Sequence, residues 1–406
     1  MKYIILLGDG MAGLPLKELD GKTTLERART PNMDYMAGRG ELGLARTVPD
    51  GLPPGSDVAN LAVLGYDPKR YYSGRAPLEA ASIGVELGPD DVAYRCNLVT
   101  LGLLDGRDGE DYRNDYLMED FTARHIKTDE ARGLIKIIDE HLGKGLGRNF
   151  EFYPGVSYRH LMVWKGGRYK LSCTPPHDIT GKAIATHLPD GDGAETITGL
   201  MERSMDILGQ HYEQGRREAN SIWLWGQGKR PSMPSFMETY GLTGAMISAV
   251  DLMRGIAKIL GLRVLDVPGA TGWIDTDYTA KAEAALKALE NDDFVYVHVE
   301  APDESGHQGN YEYKLKAIED FDEKVVGTVL NAIKGRPGYR VLVMPDHPTP
   351  IETKTHTSDP VPFILYDSGG ETAPTGRVYT ENSAGEAGVF IEEGWRLMAL
   401  LAAPAA

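Results

Sequence analysis

Beyond residue 244 the chain alternates short apolar runs with amphipathic stretches of helical length, and that rhythm leaves few folds open. Gly244–Val250, RVLDV, Phe294–Val299 and Tyr339–Met344 read as strands, while Leu252–Leu260, Asp277–Leu289 and Tyr311–Ile333 read as helices between them. Strands separated by helices of this length form a mostly parallel sheet covered on both faces, an α/β architecture. The N-terminal run Tyr3–Leu7 has the same buried character. Ligands on such sheets bind beyond the carboxyl ends of the strands. Side chains that suit metals stand just there: Asp9 after the first run, Asp303 and His307 after Phe294–Val299, Asp346 and His347 after Tyr339–Met344.

Each fragment has an ordinary reading beside the functional one. A strand-end Asp before Gly, as at Asp9, also forms turns. Asp303 and His307 are spaced so that one helical turn puts both on the same face. Asp346 and His347 leave their strand in different directions, so they reach different parts of a site. His356 lies in the polar loop KTHTSD, which has no packing reason to hold an imidazole. Ser56 opens an apolar helix, Asp57–Leu64, whose first N–H groups would face an anion. A metal on its hydroxyl would make it a nucleophile; the plain alternative is a helix N-cap. Asn60, one turn on, is placed to bond a phosphoryl oxygen, or simply to be solvated. Carboxylates mixed with imidazoles suit Mn²⁺, Zn²⁺ or Mg²⁺, and a hydroxyl among them points to two-metal phosphoryl transfer.

At 406 residues two domains are expected. None of these residues falls between Pro77 and Gly226, so 77–226 reads as an inserted, smaller α+β domain in a core of 1–76 and 227–406. Within the insert, Asp129–His141 reads as a helix behind a Thr128 N-cap, and YRHLMVW followed by KGGRYK as a hairpin. A net charge of −16 argues against nucleic acid or an anionic membrane as partner. It leaves room for a small phosphorylated substrate, because metals and a few arginines reverse the local field. Cys96 and Cys173 are too few for a disulfide framework. MKYIILLGDG is too short for a signal segment or a span, so a cytoplasmic location is expected. DGKTT is not a P-loop tail, since Leu16 stands where glycine is needed. Oligomeric state is left open.

Taken in order, LLGDGM, TPNMDYMAGRGELG, PDGLPPGSDVANLAVLGYDP, SGRAPLEA, EAPDESGHQG and MPDHPTPIETKTHTSDPVPF resemble the archaeal-type, cofactor-independent phosphoglycerate mutases of the alkaline phosphatase superfamily. The resemblance spans essentially the whole chain. It implies an alkaline-phosphatase-like core with an inserted domain, and two divalent ions, Mn²⁺ first, with Zn²⁺, Co²⁺ or Mg²⁺ as alternatives. By that resemblance Asp9, Ser56, Asp346 and His347 hold one ion, and Asp303, His307 and His356 the other. Ser56 would take the phosphoryl group from 3-phosphoglycerate and return it to the 2-hydroxyl. A closing domain would keep water from the phosphoserine.

The glycerate carboxylate asks for arginine. Arg75, Arg95, Arg159, Lys229 and Arg230 are the basic candidates; His125, His160, His177 and Asp178 would bind hydroxyls or carry protons. Surface ion pairs or hairpin packing are the bland alternatives for all of them. IWLWGQGKRPSMPSF resembles a bacterial branch proposed to phosphorylate homoserine, and Gly102–Asp120 is a longer, more acidic connection than the archaeal pattern has. The acceptor is therefore glycerate or homoserine. A phosphatase on the same core is a third reading, against which the insert argues.

Overall fold

The Lys2–Gly8 strand, buried along almost its whole length, lies inside a large sheet. The computed structural model describes residues 1–147, 149–211, 218–370 and 373–403. Across the sheet the order is Arg263–Val264, Gly244–Ile247, Phe294–Val299, Lys2–Gly8, Tyr339–Met344, Val361–Asp367, Glu41–Ala45 and Phe390–Ile391. Pairing is parallel except around Val361–Asp367, which runs against both neighbours. The fold is mixed α/β with a mostly parallel sheet.

Strand alternation sorts the side chains. Val295, Val297 and Val299 join Ile4 and Leu6 in a core shared with Ala282 and Ala285 of the Tyr278–Ala288 helix and with Ile318 and Phe321. Tyr296 and His298 necessarily point to the opposite face.

One expected element is interrupted. Tyr311–Ile333 consists of the helix Tyr311–Asp320, a π-helical stretch Phe321–Val326 and the helix Gly327–Ile333. In the widened turn, Asp322 accepts hydrogen bonds from the backbone N–H groups of Asn32 (3.2 Å) and Met33 (2.7 Å). Such insertions commonly re-aim a side chain in this way.

The chain divides into two compact units, Met1–Tyr72 with Ser232–Ala406, and Ser73–Pro231. The breaks thus lie a few residues outside the expected 76/77 and 226/227. Ser73 Oγ donates to the carbonyl of Lys229 at 2.7 Å, which ties both crossing strands of chain into the second unit. Gly74, at φ 121°, lies against Gln227 O so closely that a Cβ would not fit.

The second unit is built on Val92–Leu103, a strand of 12 residues. It pairs antiparallel with Ser221–Lys229, Arg159–Trp164 and Tyr116–Asp120, and Phe150–Val156 pairs with Arg159–Trp164. The helices Thr128–Ile138 and Ala194–His211 pack Leu134, Ile135, Ile138, Ile197, Leu200 and Met201 into its core.

Two local expectations are corrected here. Thr128 is the first residue inside its helix and Lys127 is the N-cap; the Thr128 hydroxyl accepts from Ser157 N at 3.1 Å instead. KGGRYK closes no hairpin with Arg159–Trp164. That strand's hairpin partner precedes it, and the chain after KGGRYK enters Leu171–Ser172, which pairs with Asp190–Gly191. Among the described residues no helix is long and apolar enough to cross a membrane.

Candidate metal centre and nucleophile

Register brings the ligand-type residues to one level of the sheet. Leu7 pairs with Met344 and Gly8 with Val299, so Asp9, Asp346 and the turn into Ala301–His307 leave neighbouring strands together. Gly10 follows at φ 60°, and its N–H donates to Asp346 Oδ1 at 3.1 Å. A Cβ at residue 10 would sit 2.6 Å from Asp303 Oδ1, so only glycine allows this approach.

Around these turns two clusters form. In the first, His347 Nε2 lies 3.5 Å from Asp9 Oδ1 and 3.3 Å from Asp346 Oδ2. In the second, Asp303 Oδ2 is 3.2 Å from His307 Nε2, and Asp303 Oδ1 is 3.5 Å from His356 Nε2. One helical turn does place Asp303 and His307 on the same face. Ser56 begins the helix Ser56–Val63 with Gly55 as its N-cap, so it stands one residue inside the helix. Its Oγ lies 3.1 Å from His347 Nε2.

Donor atoms of Asp9, Asp346 and His347 lie within 4.8 Å of one another, and so do those of Asp303, His347 and His356. His347 therefore faces both clusters rather than the first alone.

The electrostatics follow from crowding. Burial raises the Asp9 carboxyl well above its usual range, and Asp346 and Asp303 push it the same way. Burial acts similarly on Asp303, but hydrogen bonds from His307 and His356 outweigh it and hold that carboxyl well below its ordinary value. For His307, burial works downward and Asp303 prevails, lifting it to about 9. His347 is lowered by burial against the pull of Asp346.

Asp9 Oδ1 is buried with no hydrogen-bond partner among the described residues. A buried carboxylate oxygen left bare costs free energy unless a cation meets it. The donor set and this bare oxygen fit divalent ions.

Several supporting residues carry no sequence motif. His298 Nε2 lies 2.8 Å from Asp9 Oδ2. Thr349 Oγ1 donates to Asp303 Oδ1. Lys314, fully buried, donates to the carbonyls of Ala12 (2.9 Å) and Thr349 (2.7 Å), strapping the loops that carry Asp9 and His347.

Asn60 needs a different role from the one expected. It is fully buried, its amide N–H groups go to Ser56 O (2.9 Å) and Asp346 Oδ2 (2.8 Å), and its Oδ1 accepts from the Tyr296 hydroxyl. Both donors are used, so Asn60 holds Asp346 rather than a substrate oxygen.

A family model for 2,3-bisphosphoglycerate-independent phosphoglycerate mutase matches residues 37–213. The chain is 56% identical, over 99% of both sequences, to a probable 2,3-bisphosphoglycerate-independent phosphoglycerate mutase of Geobacter sulfurreducens. The chain belongs to that family. It is also 49% identical, again over 99% of both, to the 2,3-bisphosphoglycerate-independent phosphoglycerate mutase of Methanosarcina barkeri. The solved cofactor-independent phosphoglycerate mutase of Thermoplasma acidophilum superposes with a TM-score of 0.63 at 27% identity, covering 99% of each chain.

In this member of the mutase family the remaining expected residues all lie in the second unit. Arg95, buried, pairs with Glu79 at 3.0 Å and lies over the Trp225 ring; Arg75 reaches the same carboxylate at 3.3 Å. Burial pulls the Arg95 guanidinium down to about 10 against the opposing effect of Glu79, and Arg75 and Arg159 lower it further. Arg159 is exposed beside the Tyr158 ring.

Lys229 pairs with Asp90 at 3.0 Å, and Arg230 is exposed. The ring of His177 lies 5.4 Å from that of Trp225 and its Nε2 3.5 Å from Asp178. His125 is exposed near Tyr158. His160 is buried; its Nδ1 accepts Gly155 N–H at 3.0 Å, and its Nε2 has no hydrogen-bond partner among the described residues.

Proposed function

We propose that the chain interconverts 3-phosphoglycerate and 2-phosphoglycerate through a phosphoserine at Ser56, without bisphosphoglycerate. The observation that carries this reading is the Ser56 hydroxyl beside His347, the residue common to both ligand clusters. Asp9, Ser56, Asp346 and His347 would hold one divalent ion and Asp303, His307 and His356 the other, with Mn²⁺ as the first candidate. Two bound ions supply a lowered hydroxyl pKa and neutralise phosphoryl charge.

Ser56 Oγ forms its bond to phosphorus as the bond to the substrate's 3-oxygen breaks. After the glycerate turns, its 2-hydroxyl oxygen bonds phosphorus and the serine ester breaks. The backbone N–H groups at the start of Ser56–Val63 face the transferring anion.

Arg75, Arg95 and Arg159 are our candidates for the glycerate carboxylate. Arg75 and Arg95 both reach Glu79, at 3.3 and 3.0 Å, and a guanidinium fork matches a carboxylate in bidentate geometry. Lys229, Arg230, His125 and His177 stand as further candidates in the same unit.

The test is phosphorus NMR of purified protein with Mn²⁺ and 3-phosphoglycerate, without nucleotide or bisphosphoglycerate. Formation of 2-phosphoglycerate, abolished in Ser56→Ala, is expected. Free phosphate alone would convert the reading to a phosphatase. No turnover, with phosphohomoserine formed from homoserine and a nucleotide donor, would move it to the kinase branch.

A further inference from the structure

We propose that His298 is a positioning residue for Asp9, presenting an N–H to Asp9 Oδ2 so that Oδ1 is left as the oxygen that meets metal. The inference rests on the metal centre proposed above. His298 lies on the Phe294–Val299 strand, between the strands that deliver Ser248 and Asp9. Register aligns the three: Ile247 pairs with Val297, and Leu7 pairs with His298.

The hydrogen bonds have only one consistent direction once Asp9 is a metal-binding carboxylate. An ionised carboxylate only accepts, so the imidazole proton sits on Nε2, 2.8 Å from Asp9 Oδ2. Nδ1 then accepts, and its neighbour at 3.1 Å is the Ser248 hydroxyl. That hydroxyl is free to donate, because its oxygen takes the Val250 N–H at 3.0 Å. The strand backbone is held as well: Lys281 Nζ, itself buried, donates to the His298 carbonyl at 3.2 Å.

The relay thus runs Val250 to Ser248 to His298 to Asp9. It occupies one Asp9 oxygen and leaves the other, buried Oδ1, without a hydrogen-bond partner among the described residues. Partners of this kind orient ligands and tune their affinity.

The role is tested on Zn²⁺-loaded and Mn²⁺-titrated protein, so turnover is not the only readout. Imidazole nitrogen NMR of labelled protein loaded with diamagnetic Zn²⁺, in which Asp9 is ionised, is expected to show His298 protonated at Nε2 and bare at Nδ1. Calorimetric Mn²⁺ titration is expected to show binding about 10–100-fold weaker in His298→Leu. His298→Gln keeps an N–H and should recover part of the loss. Ser248→Ala, which removes less volume, should release the tautomer and weaken Mn²⁺ by a smaller factor.

Wild-type Mn²⁺ affinity in a folded His298→Leu, or a proton found on Nδ1, would overturn the proposal and leave the metal centre standing. Should His298→Leu fail to fold, the wild-type tautomer and Ser248→Ala decide. A wild-type chain that takes up no Mn²⁺ sinks the metal centre itself, and this role with it.

Discussion

Asp9, Asp303 and Asp346 of the first unit and Arg75, Arg95 and Arg159 of the second each gather three like charges, under different conditions. The carboxylates are almost wholly buried, and their partners are backbone N–H groups, an amide, a hydroxyl and imidazoles carried by strands, helices and turns of the first unit. Water does not reach them to relieve repulsion, so the natural relief is a cation. The arginines range from buried to exposed; Arg75 and Arg95 reach Glu79, and Arg95 and Arg159 lie beside aromatic rings. Guanidiniums in that state can trade part of their pairing for a ligand anion. The first region holds its charges buried and fixed, and the second keeps part of its charge within reach of solvent.

Asp303→Ala attacks the buried side of this contrast most severely. It should abolish Mn²⁺ uptake by one cluster and lower kcat by at least ~10³-fold, the scale of losing a group that acts on transition-state charge. Calorimetry and phosphorus NMR read both; near-normal turnover would remove the distinction. Arg95→Met should lower kcat/KM about 30-fold, ~2 kcal/mol, mainly through KM, with Mn²⁺ binding unchanged. A loss of metal affinity in that variant would show the two regions to be one.

Tyr296→Phe takes the donor from Asn60 Oδ1, and denaturant unfolding should record a loss of ~1–3 kcal/mol. The smallest effect at neutral pH is expected for His160→Gln. Burial holds that imidazole down to about 3, whereas an unfolded histidine titrates near ~6.5. Between those values the unfolded chain binds a proton that the folded chain refuses, so stability falls as pH drops. The variant should flatten this slope when melting is followed from pH ~6.5 to ~4.

That residues at the ends of apolar strands cluster was legible in the sequence: Asp9 after YIILL and Asp346-His347 after RVLVM are polar side chains where packing asks for none. Tyr296 and His298 sit inside FVYVHV, where an aromatic ring reads as buried filler. Their two-residue spacing, which puts both on one face, was the available signal. Lys314 within a helix reads as a solvated lysine, and only the folded chain reveals two carbonyls waiting for it.

Asn60 was misjudged for a physical reason. A polar side chain that satisfies its neighbours' backbone or carboxylate looks, in a one-dimensional string, like one offered to a ligand. The boundary shift at Ser73 and the preceding partner of Arg159–Trp164 likewise depend on contacts between residues remote in sequence or on turn geometry.

The insertion also sets an order of events during synthesis. Residues of the second unit are contiguous, Ser73–Pro231, so every strand of its main sheet leaves the ribosome before the chain returns to the first unit. The Lys2–Gly8 strand, by contrast, has Phe294–Val299 and Tyr339–Met344 as its two neighbours. At ~5–20 residues per second it waits about 15–60 s for either one. During that interval an apolar strand with both edges bare is a target for aggregation. Chaperone demand should therefore concentrate on the nascent N-terminus, while the later-made insert folds ahead of the older segment that precedes it.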